Sequence, residues 1–436
     1  MTSASDSVLA AAELWPNLGD EQRLALFRGF NRGEREQLFL SLRSPEQAGL
    51  LLQMPPHERF TYFRVLPLDD AADLIQSAPA EMQEDLLSLL DQATRAEVRA
   101  LLAYAEDDAG GLMNPRFARL RPDMSVTEAI SYLRLQGRRM ETIYSAYVLD
   151  QTQRLIGIVS LRDLFTAPGQ AKVSDLMKTA FVTVGEETDQ EEVARIIAAE
   201  DLEAIPVLDS TGRMKGIVTV DDIVDVVQEE ATEDIQKIGG MEALDGPYLA
   251  TGFWQMVQKR AGWLAALFLG EMLTATAMSH YEEEIAKAVV LAVFIPLIIS
   301  SGGNSGSQAS TLVIRAMALG EVHLRDWWKV ARREIASGLM LGGVLASIGF
   351  TRILLWQFFA QSYGEHYLLV ALTVALSLVG VVLFGTLAGS MLPFVLRRLG
   401  LDPASASAPF VATLVDVTGL IIYFTVAHFI LLGALR

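Results

Sequence analysis

The stretch ASAPFVATLVDVTGLIIYFTVAHFILLGA, residues 406–434, decides how the rest of the chain is read. It is a near-continuous apolar run of membrane-spanning length with one carboxylate, Asp416, about ten residues in. At about 1.5 Å of rise per residue, Asp416 comes to lie roughly 15 Å deep, near the middle of a bilayer. An ionised aspartate there costs about 2.5–3.5 kcal/mol, so it requires a partner, a cation or a water-filled cavity. Two readings follow: a protonated or hydrogen-bonded Asp416 that holds two helices together, or a cation site in a permeation path. Pro409, Thr413, Thr418 and Gly419 favour the second, because they supply small, polar, kinkable backbone where a helix meets a wet cavity.

Upstream of this run the sequence predicts four more membrane helices, at about 253–279, 286–317, 333–360 and 367–395, giving a transmembrane domain over 253–436. The charge distribution agrees. Residues 1–250 carry 23 Lys/Arg and 43 Asp/Glu, net −20, whereas the remainder carries 12 and 10, net +2. The acidic part is a soluble assembly that disfavours nucleic acid and favours cations. With that part placed inside, the inner flanks hold Lys259, Arg260, Arg315, Arg325, Lys329, Arg332, Arg333, Arg397 and Arg398. The outer flanks hold only Lys287 and Arg436. This asymmetry puts the N-terminal domains in the cytoplasm and the C-terminus outside, in a multi-pass protein of the cell (inner) membrane. Trp327-Trp328 is expected in an interfacial loop on the inner face. The first residues lack a basic, apolar signal segment, and the absence of cysteine excludes disulfides and thiolate metal sites.

The second span contains Ser300-Ser301-Gly302-Gly303-Asn304-Ser305-Gly306-Ser307-Gln308. Its glycines each cost a helix about 1 kcal/mol against alanine, so they are expected to loosen it. Freed carbonyls and the side chains of Asn304, Ser305 and Gln308 would then need water or partners, as at a pore wall. Tight packing of small residues is the other reading, and the two are compatible.

Residues 1–115 read as a stack of short helices, with Pro45, Pro56, Pro67 and Pro79 as punctuation and a weak repeat of period 23: Leu51-Leu52-Gln53 with Leu74-Ile75-Gln76, Pro56 with Pro79. Asp69, Asp70, Asp73, Asp107 and Asp108 offer oxygen ligands to a hard divalent ion, although any one alone reads as a solvated charge. From 116 the pattern turns to β-α-β, in two copies (116–170 and 171–228). Gly157-Ile158-Val159-Ser160-Leu161-Arg162-Asp163 recurs as Gly216-Ile217-Val218-Thr219-Val220-Asp221-Asp222, an offset of 59. Leu112-Met113-Asn114 is echoed by Leu176-Met177-Lys178. The copies resemble a CBS-domain pair, with the hydroxyl-x-x-Asp signature at Ser160/Asp163 and Thr219/Asp222. The resemblance implies a cleft that often holds ATP or another adenine nucleotide, with these residues on the ribose. An acidic connecting helix and linker are assigned to 229–252, the helical period running from Asp221 to Ile238 and stopping at Gly239-Gly240. Asp222, Asp225, Glu229, Glu230, Glu233 and Asp234 line it more densely than helix stability explains. Asp222 remains a candidate for either ribose contact or metal ligand.

The order of these pieces resembles the MgtE family of magnesium channels: Tyr104 to Pro115, the CBS pair, Glu230-Ala231-Thr232-Glu233-Asp234-Ile235, Gly302 to Gln308, and Pro409 to Gly419. The resemblance covers nearly the whole chain. It implies a multidomain architecture: an all-α N-terminal stack, an α/β CBS pair, an acidic connecting (plug) helix and a five-helix pore domain. It also implies a homodimer in the lipid bilayer, not an enzyme, that passes Mg²⁺ and is closed by intracellular Mg²⁺. The selectivity carboxylate falls on Asp416, with Ala412 lining the pore one turn earlier and Gly303, Asn304, Gly306, Gln308 and Pro409 around it. Regulatory Mg²⁺ ligands fall on Asp222, Asp225, Glu230, Glu233 and Asp234, joined by Asp70, Asp73 and Asp107. Ala408 stands where relatives often carry a polar residue. Glu271, a second membrane carboxylate, is expected to serve as a packing or vestibule group. A proton-coupled divalent-cation carrier and a nucleotide-sensing membrane receptor without transport are the alternatives. No Walker A sequence, HExxH motif or nucleophile–base set is visible.

Overall fold

The computed structural model describes residues 4–244, 246, 248–249, 251–282, 289–360, 363 and 366–432, and its contacts divide into two units, 1–230 and 231–436. In the first unit, helices follow one another at Asp20–Gly29, Arg32–Leu40, Ser44–Leu52, Pro56–Phe63, Leu68–Gln76, Ala80–Ser88 and Gln92–Leu101. Their first residues, 20, 32, 44, 56, 68, 80 and 92, are separated by a constant step of 12. The repeating unit is therefore one short helix. The expected period of 23 spans two of them less one residue, because similar residues fall one place out of step in alternate helices.

Helices this short are unstable alone, and their C-terminal carbonyls need partners. One position supplies them. The fourth residue of a helix reaches back to the end of the element before it. Arg23 donates to the Trp15 carbonyl at 3.1 Å, Arg35 to Phe30 at 2.8 Å, and Gln47 to Phe39 at 2.8 Å. Arg59 donates to Met54 at 2.8 Å, and Gln83 to Ala78 at 3.1 Å. Arg95 serves three carbonyls, Leu87, Ser88 and Leu90, each at 2.9 Å. Only Leu68–Gln76 breaks the rule, with Ala71 in that place. Buried Phe39, Leu51, Leu74, Ile75, Leu86 and Val98 form the core of the stack.

The two CBS copies are three-stranded sheets, β1 (Arg119–Leu120), β2 (Ser145–Leu149) and β3 (Leu155–Ser160), then β4 (Val184–Gly185), β5 (Ala204–Leu208) and β6 (Met214–Thr219). The first two strands of each sheet are parallel and the last two antiparallel. Register repeats with the sequence offset: Ser145 opposes Ser160 and Ala204 opposes Thr219. The leading segments are exchanged. Asn114, ahead of the first copy, pairs with Ile217 of the second, and Lys178 of the second pairs with Ile158 of the first. Glycine is required where they cross, because a Cβ on Gly157 would lie 2.7 Å from Met177 Sδ and one on Gly216 would lie 2.8 Å from Met113 Cγ.

The acidic helix continues straight out of the second CBS copy, as its helical period from Asp221 implies. Helix Val220–Ile238 runs unbroken from the end of β6, because Ile223 and Val226 are buried against the unit it leaves. It ends at Gly239-Gly240, with Gly240 at φ +75° and Met241 N–H donating to the Gln236 carbonyl at 3.3 Å. The described residues from 241 to 252 form no helix.

Among the described residues, five helices are long and apolar enough to cross a membrane: Phe253–His280, Val289–Ala318, Leu324–Phe359, Tyr367–Arg398 and Ala408–Ile430. The second span is interrupted at Val293-Phe294, ahead of Pro296, and there the Tyr423 hydroxyl donates to the Leu291 carbonyl at 2.8 Å. Residues 286–288 and 433–434, expected in spans, lie outside the described residues. Trp327-Trp328 is the first turn of the third long helix, Trp327–Ala360, and not a loop. A turn at Leu324–Asp326 starts that helix, with Asp326 accepting from His323 N–H at 3.3 Å and from Lys329 at 2.7 Å.

The glycine run does not open the second span, which is regular helix from Ile295 to Ala318. Its glycines serve close approach. A Cβ on Gly385 of the fourth span would lie 2.3 Å from the Gly302 carbonyl oxygen, and one on Gly389 would lie 2.1 Å from that of Gly306. The fold thus places small residues where two backbones touch.

Replacing Arg95 by Met keeps the apolar stem but leaves three carbonyls without their donor. We expect urea denaturation of the full chain in detergent to show a loss of about 1–3 kcal/mol in the helical stack, with Arg99→Met, on the exposed face, near neutral.

Candidate functional site

The final helix, Ala408–Ala427, begins in a dense cap. Ser407 Oγ accepts from Phe410 N–H at 3.3 Å and from Trp263 Nε1 of the first span at 3.2 Å. Ser310 and Ser307 of the second span donate to the carbonyls of Ala406 and Ala408 at 2.7 and 3.1 Å. Pro409, which has no N–H to offer, occupies the first turn beside Gly240. One turn along, Ala412 lies against Gly303, whose added Cβ would meet it at 3.6 Å.

Asp416 comes one turn later and is half-buried. Its carboxyl lies within hydrogen-bonding reach of Glu271 on the first span, where Gly270 packs on Thr413. Glu271, expected as a packing or vestibule group, is thus beside Asp416. Among the described residues no Lys, Arg or His forms an ion pair with Asp416. On the second span, Asn304 and Gln308 are exposed together with Thr311 and Arg315, a polar stripe at helical spacing, while Gly303 and Gly306 are buried.

The first unit gathers a second set of carboxylates. Asp69, 5% exposed, accepts from Asn114 Nδ2 at 3.2 Å, and the same amide donates to Glu141 at 2.7 Å. Asp69 lies well above the usual carboxylate range through burial, then through the charges of Asp222, Asp70 and Glu141. Burial, then Asp70, Glu106, Asp222 and Glu229, push Asp73 up to about 8. Asp222 rises to about 7, mainly by burial and against the pull of its bond from Thr219 Oγ1 at 2.6 Å. Asp70, Asp225, Glu106, Glu141 and Glu229 are pushed up for the same reasons, burial first. No three described His, Asp or Glu side chains converge closely enough to hold a metal ion as they stand. The cluster is a field of like charge, not a finished cage.

Of the expected regulatory residues, Asp70, Asp73, Asp222 and Asp225 share this cluster. Asp107 adds its charge beside Glu106 and Glu229 at its edge. Glu230 instead accepts from Gln190 Nε2 at 2.7 Å. In the second unit, Glu233 pairs with Lys237, and Lys237 Nζ donates to Asp402 at 2.6 Å. Burial works against the Lys237 charge, but the bonds to Asp402 and Glu233 hold its ammonium above the ordinary lysine range. Asp234 is pushed up by burial and by Asp402. Asp402 also caps the turn before the final span, accepting from Ala404 N–H at 2.8 Å. In the first CBS copy Ser160 Oγ donates to Asp163 at 2.7 Å, capping the helix that follows β3.

Sequence reading missed Asp69's burial, Asn114 and Glu141. Asp69 and Asp73 stand one helical turn apart, which was a visible signal. Glu141 lies 27 residues from Asn114 with none.

Comparison with known proteins agrees with these parts. Residues 7–107 match the MgtE intracellular N domain, 109–169 and 173–229 match CBS domains, and 295–426 match a divalent cation transporter domain. The chain is 41% identical to the magnesium transporter MgtE of Thermus thermophilus, over 96% of this chain and 92% of that protein. It belongs to the MgtE family. The MgtE of Enterococcus faecalis is 34% identical over 76% of this chain and 71% of its own length. A crystal structure of the cytosolic domain of the Mg²⁺ channel MgtE in complex with ATP covers 49% of this chain and 93% of its own, at 39% identity and a TM-score of 0.38. The MgtE family is one of transporters, not enzymes.

Carboxyls with raised pKa bind more protons folded than unfolded, so their effect on stability runs opposite to that of an ordinary salt bridge. Without divalent ions, the first unit should lose stability as pH rises from 3.8 through the Asp222 value of about 7 to the Asp73 value of about 8. Thermal melts of the full chain in chelator across that range test this, and Asp73→Asn should flatten the slope.

Proposed function

We propose that the chain is a Mg²⁺ channel, acting as a homodimer and closed by intracellular Mg²⁺. The carrying observation is Asp416: a carboxyl within a membrane span, beside Glu271 and with no cationic side chain to pair with among the described residues. An anion so placed requires a visiting cation. Mg²⁺ dehydrates reluctantly and is best held through retained water. Two Asp416 side chains around a twofold axis make a ring of charge suited to a hydrated divalent ion. The exposed Asn304, Gln308 and Arg315 support a lumen or a second protomer against the second span, since lipid would leave those polar groups unsatisfied.

Regulation rests on the acidic cluster. At low Mg²⁺ its carboxylates repel one another, and at high Mg²⁺ ions bridge them and favour the closed arrangement, provided they bind that state more tightly. Helix Val220–Ile238 carries the change, because it bears Asp222 and Asp225 near one end and Lys237 at the other. Lys237 grips Asp402, five residues before the N-cap of the Asp416 helix. A nucleotide at the Ser160–Asp163 side of the CBS pair would bias the same equilibrium, leaving Asp222 to the metal.

The Glu271–Asp416 contact also favours a proton-coupled carrier, since two carboxyls within reach of each other can relay a proton. Flux into proteoliposomes separates the readings. Asp416→Asn should cut Mg²⁺ flux roughly tenfold or more, about 1.4 kcal/mol of barrier, and unchanged flux would end the pore assignment. Flux that follows an imposed pH gradient would favour the carrier. Lys237→Met should raise the internal Mg²⁺ needed for half-closure by about fivefold or more, and an unchanged requirement would remove the latch from the gating path.

A further inference from the structure

The turn after the second span and the first turns of the third helix border one open hollow. Its volume is about 460 Å³, and its walls include His323, Arg325, Lys329 and Arg333. A second hollow of about 410 Å³ shares His323 and Arg325 and brings in Arg397. These residues belong to the turn after the second span, the first two turns of the third helix, and the last turn of the fourth. They have no role in the conduction or gating described above.

The charge balance of the groove is specific. Asp326 is occupied, accepting from Lys329 at 2.7 Å and from the His323 amide at 3.3 Å. Glu321 is the other carboxylate on the wall. Arg325, Arg333 and Arg397 form no ion pair among the described residues, so the hollow keeps a surplus of guanidinium groups. Beside them the apolar surface is unusually open: Trp327 is 52% exposed, Trp328 58% and Leu324 41%. Paired exposed indoles at a helix start mark the depth where headgroups meet acyl chains. Basic groups at that depth, between the ends of membrane helices, match an anionic phosphodiester whose acyl chains continue along the apolar flank.

We infer that the two adjoining hollows, one walled by Arg325, Lys329 and Arg333 and the other by Arg325 and Arg397, flanked by Trp327 and Trp328, together bind the phosphate headgroup of an anionic phospholipid. The guanidinium of Arg325, shared by both hollows, is the central donor. The indoles fix the lipid's depth, and the bound headgroup neutralises cationic charge that otherwise crowds around the two hollows.

The test uses the full chain, reconstituted in vesicles of equal parts phosphatidylcholine and phosphatidylglycerol, extracted in mild detergent and weighed intact by native mass spectrometry. The expected result is retained phosphatidylglycerol in preference to phosphatidylcholine. Arg325→Gln and Arg397→Gln should each lower that preference roughly fivefold, whereas Arg260→Gln, which removes a charge from the same membrane face outside the groove, leaves it unchanged. Equal losses from all three variants would mean diffuse surface attraction and overturn the site. Displacement of the lipid by inorganic phosphate at equal concentration would likewise overturn it, in favour of a soluble anion. Circular dichroism of each variant confirms that lost binding is not lost fold, and Arg325→Lys, which keeps the charge and the fold, should restore most of the preference.

Discussion

Negative charge held away from water without a counter-charge governs both units of this chain. In the first, Asp69, Asp73 and Asp222 are buried among other carboxylates and are pushed toward their protonated forms. In the second, Asp416 meets Glu271 within the membrane spans. Stability gains nothing from such arrangements, because burial penalises each ion and like neighbours add to the penalty. Under the proposed function a small, doubly charged ion is the missing partner, at one site as cargo and at the other as signal.

The framework around Asp416 is built to hold it there. Gly302 and Gly306 of the second span touch Gly385 and Gly389 of the fourth with almost no side chain between them. Contacts so close leave the second and fourth helices little freedom to slide. The final helix is then fastened to the second span by Ser307 and Ser310, and to the first span by Trp263. Hydroxyls and an indole thus serve carbonyls and a cap that lipid cannot serve. Ala408 needs no polar side chain for this, because its backbone carbonyl makes the contact.

Much of the architecture was legible in the sequence. Five apolar runs, a duplicated β-α-β pattern and an acidic helix follow from hydropathy, from the offset of 59 and from Gly239-Gly240. The errors share a physical origin. Periodicity alone cannot say whether glycine in a membrane helix loosens it or lets another backbone approach, and only the fourth span reveals which. The domain boundary at 229 marks only the end of the second repeat, and burial of Ile223 and Val226 makes the connecting helix one rod from Val220 across it. Arg332 and Arg333 suggested a span boundary, yet the turn closed by Asp326 starts the helix at Trp327. Within the acidic cluster, Asp69 and Asp73 share a helix face and were readable as a pair. Glu141 joins only through Asn114, a contact made by tertiary folding.

The twelve-residue step of the helical stack has a consequence of its own. Every joint but the one before Leu68–Gln76 is closed by a side chain belonging to the link that follows it, so the stack behaves as a row of vertebrae with their own ligaments. Adding or removing one vertebra leaves the remaining joints complete. Evolution could therefore lengthen or shorten this arm in whole links, changing its reach without redesigning its interior.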